Sequence, residues 1–296
     1  MTDVFVVGAL HLDVVVDAHR LPHLDETLMG ESVAYRFGGK GGNQAVMAAR
    51  MGALVAMAGR VGNDAFANTV LAELDRSGVD RAQVMQVQGS TGMSVAIVEA
   101  GGEYGAVVVS GVNRTVDPDQ VDPRNASVVV LQNEIPEDVN LRVARRATGA
   151  KIVLNAAPAR QVPEALLRAT DLLVVNRVEA AQLTGGKVDN LDAVRAARDL
   201  AVRGPKAVVV TLGAQGVVLC EGGKVETITP PTRADGSTHG AGDAFVGALA
   251  TELARAEPLD AAVRFASAAA ACFVGTSPQE RAAIARSNVE RWLAEL

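Results

Sequence analysis

Short apolar, β-branched runs alternate with alanine-rich stretches through the second half of the chain. Val128 to Leu131, Ile152 to Leu154, Leu172 to Val175 and Val208 to Thr211 are apolar nearly throughout rather than at every second position, as expected of strands covered on both faces in a parallel sheet. Between them, Glu137 to Ala147, Glu164 to Ala169, Arg177 to Leu183 and Leu191 to Arg203 carry apolar residues at helical spacing. The chain opens on a similar strand, Val4 to Val7. Its last quarter reads as helix over Ala241 to Ala256, Leu259 to Phe273 and Val289 to Leu296, the last carrying Trp292. This order predicts an α/β fold, three-layered and doubly wound around a mostly parallel sheet.

Two segments break the pattern. Val14 to Val16 with Ser32 to Arg36, and Ser94 to Glu99 with Tyr104 to Val109, read as strands joined without helices, and Gly101-Gly102 is a hairpin turn signal. They predict a small antiparallel β sheet, inserted at about 14–36 and 90–112 into a single domain spanning 1–296. Such a sheet serves as a lid that excludes water during group transfer, or is merely structural or dimer-forming. Its open strand edges favour pairing two lids into a homodimer.

Composition narrows the function. A net charge of −6, with only 28 Lys plus Arg and 3% aromatics, removes the basic and stacking surfaces that nucleic-acid binding needs. No apolar run approaches the roughly eighteen residues of a membrane span, and the opening strand follows Asp3 rather than a basic stretch. Cys220 and Cys272 lack CxxC or Cys/His spacing, so they read as reduced, buried thiols rather than a disulfide or zinc site. The expectation is a cytoplasmic protein with a small-molecule ligand, no nucleic acid and no membrane.

Two glycine clusters carry candidate chemistry. Gly240-Ala241-Gly242-Asp243 leads directly into an alanine-rich helix. Its backbone N–H groups and the positive helix end can cradle an anion, beside which Asp243 can accept a proton from an attacking hydroxyl. A plain helix cap with a glycine-rich lead-in is the competing reading. Phe37-Gly38-Gly39-Lys40-Gly41-Gly42-Asn43 opens a second helix, expected over Gln44 to Met51. It fails the P-loop pattern, since Gly41 stands where Ser or Thr is needed, and Gly8-Ala9-Leu10-His11 fails the dinucleotide fingerprint. What remains is a tight backbone turn with Lys40 and Asn43 as polar handles, suited to a polyhydroxy ligand, or simply a turn into a helix.

Taken in order, several motifs resemble the ribokinase-like (PfkB) family of carbohydrate and nucleoside kinases. They are Val7 to Asp13, Gly38 to Asn43, Asn155-Ala156-Ala157-Pro158-Ala159, Asn176-Arg177-Val178-Glu179, Thr211 to Gly216 and Gly240 to Asp243. The stretch from Phe37 to Gln44 is most similar to ribokinases. The resemblance implies an ATP-dependent phosphotransferase acting on a sugar hydroxymethyl group, a ribose-like pentose first. Asp243 would be the base, with Gly240, Ala241 and Gly242 at the transferring phosphoryl group. Asp13, His11, Gly39, Lys40, Asn43 and Glu134 would bind the acceptor, and Thr211, Gly213 and Gly216 the nucleotide. Asn176 and Glu179 would organise Mg²⁺ with the ATP phosphates, Glu179 through water.

Two departures stand out. His11 replaces the Asn usual in ribokinases. Ser237 stands where many members supply an Asp carboxylate to a monovalent cation, and Gly275-Thr276-Ser277-Pro278 shortens the turn that supplies further oxygens to that ion. The monovalent cation site is therefore expected to be absent or weakened, with Asp235 as a substitute ligand if the loop shifts register. A nucleoside or another sugar as substrate is the first alternative. A non-catalytic sugar or nucleotide sensor on the same scaffold is the second, and a dehydrogenase the weakest, because the dinucleotide fingerprint is absent.

Overall fold

The computed structural model describes residues 2–99, 104–123, 125–230 and 236–294. From the N-terminus come β1 (Val4–Val7), β2 (His11–Ala18), β3 (Ser32–Gly38), α1 (Lys40–Arg50), β4 (Val55–Gly62), α2 (Ala65–Arg76), β5 (Asp80–Val87), β6 (Gly92–Glu99) and β7 (Tyr104–Val109). The middle follows with β8 (Val128–Gln132), α3 (Glu137–Arg146), β9 (Lys151–Asn155), α4 (Glu164–Arg168), β10 (Leu172–Asn176), α5 (Arg177–Thr184), α6 (Ala193–Ala201) and β11 (Ala207–Thr211). The chain ends with β12 (Val217–Glu221), β13 (Lys224–Ile228), α7 (Ala241–Ala254), α8 (Leu259–Gly275) and α9 (Arg286–Ala294).

Among the described residues, nine strands form the main sheet in the order β13-β12-β11-β10-β9-β8-β1-β4-β5. All neighbours from β5 to β11 are parallel, and only β12 and β13 run antiparallel. Alternate residues of each strand enter different cores: Val4 and Val6 belong to the one formed with α1, α7 and α8, while Phe5 and Val7 belong to the one formed with α3 to α6. Burial on both faces is why these strands read as unbroken apolar runs. The β4-α2-β5 unit and the β12-β13 hairpin were not predicted from the sequence. Edge strands β5 and β13 mix polar and apolar residues, as strands with one wet side do, whereas β4 and β12 are buried, largely apolar strands inside the sheet.

A second sheet of four strands lies in the order β3-β2-β6-β7. β2 with β3 and β6 with β7 are antiparallel pairs, joined by a parallel pairing of β2 with β6. Gly101 and Gly102, between β6 and β7, lie outside the described residues, as does Asp235. Register places Val14, Tyr35, Val95 and Val107 side by side on one face, where Tyr35 is 60% and Val107 67% exposed. Asp13, Arg36 and Ser94 share the other face.

Helix α1 begins at Lys40, four residues before the expected Gln44 start. Gly39 is its N-cap at φ 86°, and a Cβ there would meet the Ala9 carbonyl oxygen at 2.6 Å. Only glycine tolerates both demands, so the cluster makes a helix end pressed against the chain leaving β1. No helix among the described residues is long and apolar enough to cross a membrane.

Candidate active site

Parallel strands collect their loops at one edge, and there the C-terminal ends of β8, β9, β10 and β11 present Gln132, Asn155, Asn176 and Thr211. Helices α1 and α7 bring their N-termini to the same edge. The two pack closely because α7 carries Gly247, where a Cβ would meet the Gln44 carbonyl oxygen at 2.7 Å. Thr251 Oγ1 donates to the Ala48 carbonyl at 3.1 Å one turn further on.

That packing places Asp243 in the first turn of α7, 8% exposed. Its carboxylate accepts from Asn43 Nδ2 at 3.2 Å and from Gln44 Nε2 at 2.9 Å. Gln44 is fully buried and continues the network, donating also to Asn155 Oδ1 at 3.0 Å and accepting from Gln132 Nε2 at 2.8 Å. Gly240 caps α7 at φ 84°, a left-handed conformation that favours glycine. The first N–H groups of a helix have no intrahelical partner, and a Cβ on the exposed Gly242 would meet nothing within 4 Å. The helix end is therefore open on the side where an anion would sit.

Lys40 stands among carboxylates. The charge of Asp243 above all, with Glu134 and Glu179 adding, raises its pKa against the opposing effect of burial. Glu134 follows β8 and accepts from the Lys40 backbone N–H at 2.7 Å. Burial pushes its carboxyl up to about 7, with that hydrogen bond and the Lys40 charge opposing. Asp13, on β2, accepts from Ser94 Oγ at 2.6 Å. His11, at the start of the same strand, is 3% exposed, and its buried Nε2 has no hydrogen-bond partner. Burial lowers the imidazole pKa, with Asp13 opposing and Lys40 reinforcing, so the ring is neutral near pH 7.

Asn176 caps α5 and closes a capping box with Glu179. Glu179 Oε2 accepts from the Asn176 backbone N–H at 2.7 Å and Oε1 from its side-chain amide at 2.9 Å. Burial raises the Glu179 pKa, opposed by the Asn176 bonds and the Lys40 charge. Thr211 lies directly beside Asn176 in the sheet. Gly213 and Gly216 form the following turn, at φ 60° and 93°. Asp13, Lys40, Asn43, Glu134, Glu179 and Asp243 thus converge, while Thr211, Gly213 and Gly216 occupy the flank beyond β10. Sequence reasoning did not assign Gln44, Ser94, Gln132 or Asn155 to the site. Gln44 left a trace as a glutamine in an otherwise small and apolar run, and Asn155 as the first residue of one of the family-like motifs.

Residues 1–281 match the pfkB family carbohydrate kinase profile. The chain belongs to that family. It is 34% identical over 279 residues to the ribokinase of Haemophilus influenzae, covering 91% of each chain. It is 33% identical over 304 residues to the ribokinase of Bacillus subtilis, covering 99% of this kinase and 100% of that one. The structure of Arabidopsis thaliana ribokinase complexed with ribose and ATP superimposes with a TM-score of 0.90 at 30% identity, covering 99% and 98% of the two chains. The architecture of this kinase is therefore ribokinase-like, a mostly parallel central sheet with a small second sheet.

Proposed function

We propose that this carbohydrate kinase transfers the γ-phosphoryl group of ATP to the hydroxymethyl group of a ribose-like pentose, with Asp243 as general base. The observation that carries the reading is the Asp243 carboxylate, held by Asn43 and Gln44 at the open end of α7 beside Lys40. The sugar hydroxyl oxygen attacks the γ-phosphorus and gives its proton to Asp243. The bond to the bridging oxygen breaks, and ADP leaves with the electron pair. N–H groups of Gly242 and Asp243, with that of Ala241 once it leaves the Thr238 carbonyl to which it donates at 3.0 Å, stabilise the charge on the transferring group.

Asp13, Glu134, Asn43 and the Gly39-Lys40 backbone supply the acceptors and donors that a pentose needs, and the orphaned His11 Nε2 fits one more hydroxyl. Thr211, Gly213 and Gly216 would flank the nucleotide. Magnesium bound with ATP neutralises phosphate charge. Such an ion would be kept mainly by phosphates and waters. Glu179 retains a free lone pair on each oxygen for such a water. The second sheet is read as a lid over the acceptor, inserted at about 14–36 and 90–112, and its exposed apolar face as a homodimer surface. Buried free Cys220 and Cys272 fit a reducing, cytoplasmic setting.

ADP release over a panel of pentoses, 2-deoxyribose, hexoses and nucleosides tests the substrate, with ribose expected first. A nucleoside ranking first would favour the alternative substrate class, and binding without ADP release a sensor. Asp243→Asn is expected to lower kcat by about 10²- to 10⁴-fold with ATP affinity retained. Near-normal turnover in that variant would remove Asp243 from the mechanism.

A further inference from the structure

Arg281 opens a short turn after α8, and its guanidinium lies among four main-chain oxygens from two separate segments. Nη2 donates to the Ser237 carbonyl at 2.6 Å and Nη1 to His239 at 3.3 Å, both in the lead-in to the glycine-capped end of α7. Nε is shared between the carbonyls of Phe273 at 3.1 Å and Thr276 at 3.2 Å, at the end of α8. The guanidinium also stacks on the Phe273 ring, 4.4 Å from its centroid. That ring is the wall against Gly240: a Cβ on Gly240 would meet Phe273 Cε1 and Cζ at 3.2 Å. Arg281 is itself anchored, since its N–H donates to the Ser277 carbonyl at 3.1 Å and its carbonyl accepts from Arg50 Nη1 at 3.0 Å. Arg50 is the last residue of α1, the helix whose N-terminal half holds Asn43 and Gln44.

Converging carbonyl dipoles repel one another unless a cation lies between them, and a ring of such oxygens is what replaces the hydration shell of an alkali ion. Here the cation is covalently part of the chain. A planar guanidinium with five N–H donors can satisfy several carbonyls at once and stays charged at any working pH. The oxygens at which the family resemblance places a monovalent cation therefore do not fit one in this chain.

We propose that Arg281 is a positioning residue that serves as a resident cation, locking the Ser237 to Gly240 lead-in against the end of α8 and making the kinase independent of monovalent ions. The proposal rests on the phosphotransferase reading of the α7 end. Losing the lock lets Gly240 drift, so the N–H groups of Gly242 and Asp243 no longer meet the transferring phosphoryl group squarely. Misplacement of about 1 Å in such a site costs on the order of 10²-fold in rate.

The test compares Arg281→Ala and Arg281→Lys with the unmodified kinase, using tetramethylammonium chloride to hold ionic strength while potassium or millimolar guanidinium chloride is added. The unmodified kinase is expected to respond to neither ion. Arg281→Ala should lose about 10- to 100-fold in kcat, with sugar KM within about twofold, and recover saturably as either cation enters the vacated carbonyl cage. Arg281→Lys should lose less and respond less. Potassium activation of the unmodified kinase overturns the proposal. So does an Arg281→Ala enzyme with unchanged kcat, or one whose Tm and kcat fall together with no cation restoring either. Should no acceptor be turned over, the substrate reading fails separately. A potassium-dependent rise in the Tm of Arg281→Ala, absent from the unmodified protein, then decides for or against the cage alone.

Discussion

The Gln44 side-chain amide donates to Asp243 Oδ1 at 2.9 Å, joining residues 199 apart in the sequence. Both are buried, and the same amide binds Asn155 and Gln132. Orientation of the proposed base is therefore a property of a buried polar network rather than of the α7 loop alone. Gln44→Leu takes the donor from Asn155 Oδ1 and the acceptor from Gln132 Nε2, and each buried group left unpartnered costs about 1–3 kcal/mol. The variant is expected to lose stability in urea titration and at least tenfold in kcat, because Asp243 is then held by Asn43 only. Unchanged kcat would assign Gln44 to packing.

Glu134 makes the acceptor side sensitive to pH. Its carboxyl stands at about 7 in the folded protein against an ordinary 4.5, so between those values the native state keeps a proton that the unfolded chain has released. Its contribution to stability is full below the lower value and is lost as pH rises through about 7. An ionised carboxylate accepts from sugar hydroxyls, so sugar KM should fall as pH rises through the same region with kcat little changed by this group. Glu134→Gln is expected to flatten that KM profile; a persisting slope would move the effect to another residue.

Acceptor choice should depend on His11. Its neutral imidazole is bulkier than an amide, offers one donor and one acceptor, and leaves Nε2 unpartnered. His11→Asn is expected to shift relative kcat/KM across a pentose panel toward ribose. An unchanged ranking would mean that the ring does not meet the sugar.

The second sheet offers a test of assembly. Exposed Tyr35, Val95 and Val107 form one apolar row with the half-buried Val14, a face suited to a second copy. Val107→Asp is expected to convert a homodimer to a monomer in light scattering and to raise sugar KM. A monomeric unmodified kinase, or a variant of unchanged mass and KM, would sink the lid-to-lid pairing.

Local pattern was enough for much of this molecule. Doubly buried strands such as Val128–Gln132 announce themselves as apolar runs, and glycines ahead of a helix mark the Gly240 turn and the Gly39 cap, because steric demands on a few adjacent residues decide those features. The order of such motifs carried the family. Edge strands such as Asp80–Val87 escaped notice, since one wet side dilutes the apolar signal. Tertiary structure alone decided which distant groups meet: Gln44 with Asp243 through the close packing at Gly247, and Arg281 with the carbonyls of Ser237 and His239. It also decided how far burial perturbs Glu134. Desolvation and long-range hydrogen bonding depend on what the folded chain places around a residue, and no window of neighbouring residues contains that information.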